Sequence, residues 1–175
     1  MKPITLKIAL TSSLFILSLS WTYAQKSVED LLKQYNKNLV PYITAEELAM
    51  PKTDVILLDS REQNEFEISH LKNAINVGYN EFDPSNISEF IEDKDQAIVV
   101  YCSLGIRSET VANKLKEAGY TNVQNLYGGI FEWKNKDFEV YNSEEKATDS
   151  VHAFSKLWGK WLNNGIKVYN KEKQN

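Results

Sequence analysis

Two unbroken apolar runs stand out along the chain: Val55-Ile56-Leu57-Leu58, closed by Asp59-Ser60-Arg61, and Ala97-Ile98-Val99-Val100-Tyr101, closed by Cys102. Neither alternates with polar residues. Strands covered on both faces read this way, as in a parallel sheet. Between the runs the pattern predicts a helix over Glu62 to His70, a short strand over Ala74 to Val77 and a helix near Ser85 to Glu92. After Cys102, Val111, Ala112, Leu115 and Ala118 share one face of a helix predicted over Ser108 to Ala118. Gly119 then stands where a helix end takes a left-handed residue. Asn122 to Tyr127 reads as a further strand running into Gly128-Gly129. Strands alternating with helices predict an α/β layered domain with a mostly parallel sheet.

Both ends add elements to this unit. Val28, Leu31, Leu32 and Tyr35 recur at helical spacing, predicting an amphipathic lead-in helix within Gln25 to Asn38, so that 25–40 reads as a helix or linker. Pro41 ends it, because the residue before a proline leaves the helical region. Tyr42-Ile43 offers a short strand, and Thr44 with Glu47 forms a capping-box pattern for a helix that Pro51 stops. Beyond the layered unit, Val151, Phe154, Leu157, Trp158, Trp161 and Leu162 predict a C-terminal helix between Glu144 and Leu162. Its apolar face is expected to pack on the sheet domain. A lid or partner surface near the Cys102 loop is the functional alternative. Ile166 to Tyr169 suggests a last short strand, and Lys171 to Asn175 a frayed end.

Composition narrows the class. Seven glycines and four prolines in 175 residues exclude collagen-like and low-complexity chains, and 11% aromatic residues with a net charge of -4 speak against disorder. A sequence pI near 5.3 argues against a nucleic-acid face. The first 24 residues have the layout of a secretory signal peptide: Lys2 and Lys7, an apolar stretch from Ile8 to Trp21, and small residues at Thr22 and Ala24. The stretch is too weakly apolar for a membrane anchor. Cleavage after Ala24 predicts an exported protein, periplasmic or secreted, without stable membrane insertion. One cysteine excludes an internal disulfide and any zinc site built on several thiolates. An unpaired cysteine in an exported chain is either buried and inert or kept for its chemistry.

The surroundings of Cys102 favour chemistry. The order strand, Cys102-Ser103-Leu104-Gly105-Ile106-Arg107-Ser108, helix puts the thiol at the carboxyl end of a strand, where open α/β sheets bind ligands. A loop curling there aims its amides and the following helix N-terminus at one point. Gly105 permits such a curl, and Arg107 adds a permanent cation. Each favours thiolate over thiol.

The segment YCSLGIRSE has companions elsewhere: Asp59-Ser60-Arg61, then Glu65-Phe66 with Ser69-His70-Leu71-Lys72-Asn73-Ala74-Ile75-Asn76-Val77, and Leu126-Tyr127-Gly128-Gly129 before Trp133. Together they resemble a single-domain rhodanese, a sulfurtransferase, over about Tyr42 to Tyr141. The resemblance implies a five-stranded, mostly parallel sheet with helices on both faces in a domain spanning 41–141, followed by the extension 142–175. It implies a persulfide on Cys102, a small anionic sulfur donor (thiosulfate, persulfide or polysulfide) and a thiol or cyanide acceptor. It implies no metal and no organic cofactor. The amides of Ser103, Leu104, Gly105, Ile106 and Ser108, with Arg107, are expected to cradle donor and persulfide. Asp59 and Arg61 are expected to brace the loop, Gly128-Gly129 to approach it closely, Trp133 to sit in the core, and His70 to be structural. Ser69 replaces the family's usual glycine. Leu104 and Ile106 make the loop less cationic than many, which weakens the case for thiosulfate as donor. A phosphatase or arsenate reductase of the Cys-Arg loop class is disfavoured, because those loops enclose five residues between Cys and Arg and this one encloses four. A non-enzymatic sulfur carrier or partner-binding module remains the other reading.

Overall fold

The two apolar runs pair with each other at the middle of the sheet. The computed structural model describes residues 27–51 and 54–170, so the leader read over 1–24 and the tail 171–175 lie outside the described residues. Strand β2 (Ile56–Asp59) pairs with β4 (Ile98–Tyr101) in parallel, from Ile56 opposite Ile98 to Asp59 opposite Tyr101. With β1 (Tyr42–Ile43), β3 (Ile75–Asn76) and β5 (Val123–Leu126) they form a five-stranded sheet in the order β1-β5-β4-β2-β3. All four pairings are parallel.

Side-chain alternation along β4 sorts the core into two layers, which is why its run contains no polar position. Val99 and Tyr101 join Leu31 of α1 (Val28–Tyr35), Leu48 of α2 (Ala45–Leu48) and Ile130 and Phe131 of α6 (Gly129–Asn135). Ile98 and Val100 join Ile87 of α4 (Pro84–Ile87) and Val111, Ala112 and Leu115 of α5 (Arg107–Glu117). A single-turn helix, α3 (Gln63–Phe66), follows β2. Thr44 and Glu47 make the predicted capping box, with Thr44 N–H donating to Glu47 Oε2 at 2.9 Å and Glu47 N–H to Thr44 Oγ1 at 3.2 Å. Gly119 ends α5 with φ +96°. Among the described residues no helix is long and apolar enough to cross a membrane.

Residues 27–40 are more than a linker. Leu31, Leu32 and Val40 are buried, and Lys37 and Leu39 donate their amides to Glu109 of α5 at 2.9 and 3.0 Å.

The C-terminal extension differs from the expected single helix. It contains β7 (Ala147–Thr148), antiparallel to β6 (Val140–Tyr141); β8 (Ser150–His152), parallel to β9 (Ile166–Val168); and one helical turn, α7 (Lys156–Gly159). Local chemistry explains the interruption. Phe154 has φ +61°, which no right-handed helix accommodates, and Ser155 starts a new turn by accepting the Trp158 amide at 3.4 Å. The helical spacing therefore joins two different burials. Val151 and Leu162 are in the core, whereas Phe154 and Leu157 are 48% and 65% exposed.

Candidate active site

Cys102 directly follows β4, and the loop it begins ends at the first residue of α5. The chain turns here because Gly105 takes φ +94°, a conformation that side chains resist. That turn aims the Gly105 amide back at the sulfur, donating to Sγ at 3.1 Å. Ser108 Oγ lies 3.5 Å from Sγ and 2.7 Å from Asn125 Oδ1. A hydroxyl has one proton, so Ser108 donates to one of them at a time.

The loop carbonyls point the other way. Ile130 and Phe131, at the start of α6, donate their amides to the Cys102 and Ser103 carbonyls at 2.9 and 3.1 Å. These are the amides a helix start leaves unpaired. The Gly105 carbonyl accepts from Asn36 Nδ2 and Asn125 Nδ2, both at 2.8 Å. Gly128-Gly129 makes the close approach expected of it. A Cβ on Gly129 would collide with the Cys102 carbonyl and come within 2.8 Å of Leu104 N.

Cys102 is only 2% exposed. Burial pushes its thiol pKa up, but the Arg107 charge, the Ser108 hydroxyl and the amides of Ser108 and Leu104 outweigh it, and the thiol sits below its ordinary value. Cys102 lines a cavity of about 170 Å³ together with Ser103, Leu104, Ile106, Arg107, Phe154 and Trp158.

Arg107 lines this cavity as expected, but is held there by a partner not assigned to it from the sequence. Its Nη1 and Nη2 donate to Glu65 Oε2 and Oε1 at 2.7 and 2.9 Å, and Nη2 also reaches Ser103 Oγ at 3.2 Å. Burial pushes the Glu65 carboxyl up, yet the paired guanidinium pulls it far below the usual carboxylate range. Arg107 therefore lowers the thiol pKa while each Nη donates one hydrogen bond to Glu65.

Asp59 and Arg61 differ from the expected arrangement. Both are fully buried, with Arg61 Nη2 donating to Asp59 Oδ2 and to the Ser69 carbonyl, each at 2.6 Å. Neither makes a hydrogen bond to the Cys102 loop. The brace runs through their neighbour Ser60, whose amide and hydroxyl both donate to the Tyr101 carbonyl at 2.9 Å. Ser69 fits because its backbone carbonyl does the work. His70 is buried and structural: it stacks on Phe66 at 4.0 Å, and its ring nitrogens meet Phe66 O and Glu145 Oε1, each at 3.1 Å. Trp133 is half-buried rather than core, and its Nε1 donates to the Glu139 carbonyl at 2.8 Å.

Sequence reasoning missed Asn36 and Asn125 as site residues, saw Glu65 only as part of a motif, and offered Phe154 and Trp158 only through the alternative that their segment lies near the Cys102 loop. Asn125 carried no distinguishing local signal, because Gln124 beside it in β5 is polar too and only partly buried.

A rhodanese-like domain model matches residues 44–136. The chain belongs to the rhodanese-like domain family. It is 34% identical over 97 residues to the thiosulfate sulfurtransferase GlpE of Coxiella burnetii, covering 54% of this chain and 85% of that one. It is 36% identical over 95 residues to a tRNA uridine(34) hydroxylase of Hamiltonella defensa, covering 50% of this chain and only 27% of the hydroxylase. The fold is shared with a thiosulfate sulfurtransferase of Pseudomonas aeruginosa at a TM-score of 0.54, with 22% identity over 70% of this chain and 23% of that one. A Bacillus halodurans protein matches at 0.53, with 22% identity over 67% of this chain and 88% of that one.

Two expectations follow from this geometry. Gly129→Ala should destabilise the protein by about 2 kcal/mol, since its φ of +57° and the backbone beside it both oppose a Cβ; chemical denaturation measures this. The Glu65–Arg107 pair should make stability acid-sensitive. Because the folded carboxyl titrates below its ordinary 4.5, this stabilisation is complete above that pH and is lost as pH falls below it. Denaturation midpoints followed from neutral to acid pH should show that loss. Glu65→Gln should flatten it, at a cost of about 3 kcal/mol at neutral pH for an unpaired buried cation.

Proposed function

We propose that the protein is a sulfurtransferase working through a persulfide on Cys102. The observation that carries this reading is the Cys102 sulfur, favoured as thiolate by the Gly105 amide, Ser108 and the Arg107 charge, on a residue that lines a cavity. The thiolate attacks the sulfane sulfur of a donor. A bond forms from Sγ to that sulfur, and the sulfane bond to the donor's leaving group breaks with its electron pair. The persulfide anion moves the negative charge one atom outward, toward the cavity. A thiol or cyanide then takes the outer sulfur and restores the Cys102 thiolate, so the cycle needs no oxidant. No histidine touches the sulfur, and none is required, because donors aimed at sulfur stabilise both the nucleophile and the persulfide.

Family membership and the GlpE relative support sulfur transfer. Thiosulfate itself is a weaker candidate, because this dianion would meet an Arg107 already neutralised by Glu65. We also propose, from the leader pattern, that the protein is exported and processed after Ala24.

Incubation with a polysulfide or persulfide donor should raise the intact mass by one sulfur atom, and mass spectrometry should locate it on Cys102. Cys102→Ser should abolish both the adduct and thiocyanate formation from cyanide. An unchanged mass with every donor would remove the sulfurtransferase reading, and loading without turnover would favour a carrier. N-terminal sequencing of protein recovered from its cells should begin at Gln25; a retained leader refutes processing there.

A further inference from the structure

The wall of the cavity opposite the loop is built outside the segment matched to the family. Phe154 and Trp158 belong to the C-terminal extension, whereas the matched segment ends at residue 136. Both are held in place. Strand β8 is pinned by β9, the Ala153 amide donates to the Val168 carbonyl at 2.8 Å, and the Phe154 amide donates to His152 Nδ1 at 3.2 Å. The same Nδ1 lies 3.7 Å from Glu65 Oε1. Phe154 takes a left-handed backbone, φ +61°, which is rare for a bulky residue. Its ring lies 5.0 Å from the Arg107 guanidinium carbon. Trp158 meets Tyr35 edge-on at 5.6 Å.

Leu104 and Ile106 complete a cavity whose accessible surface is almost wholly carbon. Its volume, about 170 Å³, is of the size that admits a benzene ring, since an apolar cavity of about 150 Å³ does so. Charge points the same way. The thiolate, Arg107 and Glu65 sum to one negative charge, with both guanidinium Nη groups on the carboxylate. A dianion meets repulsion and carbon walls. A monoanion carrying a hydrocarbon substituent displaces water from four apolar side chains and adds only one charge.

Resting on the sulfurtransferase reading, we infer that the extension makes this site selective for organic sulfane donors with an apolar substituent, such as aryl or long alkyl thiosulfonates and persulfides, over inorganic thiosulfate. Phe154 and Trp158 are the specificity-determining residues. With an arenethiosulfonate, the Cys102 thiolate bonds to the terminal sulfane sulfur. The bond from that sulfur to the sulfonyl sulfur breaks, the electron pair leaves as arenesulfinate, and the persulfide anion remains. Two negative charges enter and two remain.

The test uses the full chain and thiocyanate formation from cyanide with three donors: benzenethiosulfonate, methanethiosulfonate and thiosulfate. The first two share charge and reacting group and differ in the substituent. We expect kcat/KM for benzenethiosulfonate to exceed that for methanethiosulfonate at least tenfold, and thiosulfate to be the poorest. Phe154→Ala and Trp158→Ala should each bring the ratio of the two thiosulfonates toward one, and Phe154→Leu should preserve most of it. Product inhibition of the unmodified protein gives a second readout, with benzenesulfinate at least tenfold more potent than methanesulfinate. A ratio near one, equal inhibition by the sulfinates, or a ratio surviving both alanine substitutions would overturn the inference. Methanethiosulfonate loading Cys102 without any preference removes this inference alone; no loading by any donor removes the sulfurtransferase reading with it.

Discussion

A sulfur that is to ionise almost entirely away from water has to be compensated by its surroundings, and the architecture around Cys102 answers that demand. Apolar burial drives a thiol toward its neutral form. The loop counters this by orienting its peptide units, with amides of Leu104, Gly105 and Ser108 toward the sulfur. The carbonyls of Cys102, Ser103 and Gly105 face outward, to α6 amides and to two asparagines. That arrangement requires the left-handed Gly105 and the tight approach of Gly129. Both glycines set the backbone path that turns those amides toward the sulfur.

The nearby cation brings its own constraint. Arg107 lowers the thiol pKa, and Glu65 holds Arg107 in a bidentate pair at 3% side-chain exposure of the carboxylate. A buried pair of this kind is weak evidence of stability, since its desolvation offsets much of its attraction. Its effect here is positional. It fixes the guanidinium near the sulfur while cancelling its net charge toward an incoming anion. A site so balanced retains thiolate chemistry and loses much of the electrostatic attraction that a free arginine would offer a dianion.

Cys102 lies within the segment matched to the family, while residues outside that segment complete its surroundings. Asn36 steadies the loop from the N-terminal side, and Phe154 and Trp158 enclose the cavity from the C-terminal side. One fold hosting several chemistries differs in such additions more than in its sheet. The sulfurtransferase and hydroxylase relatives match this chain at comparable identity, 34% and 36%.

Local rules were enough for much of this protein. Unalternating runs marked β2 and β4, the Thr44–Glu47 spacing marked a capped helix, and the Cys102-to-Ser108 stretch marked a reactive loop. Periodicity, capping and backbone freedom act across a few residues, so they are legible in the chain alone. The same spacing rule failed in the extension, where a left-handed Phe154 divides an apparently continuous helical pattern. Only the tertiary structure decided that Arg107 meets Glu65, 42 residues away, that Ser60 rather than Arg61 braces β4, and that Phe154 and Trp158 wall the cavity. Those contacts depend on how distant segments return to one place, and that is settled by the packing of whole layers rather than by any local pattern.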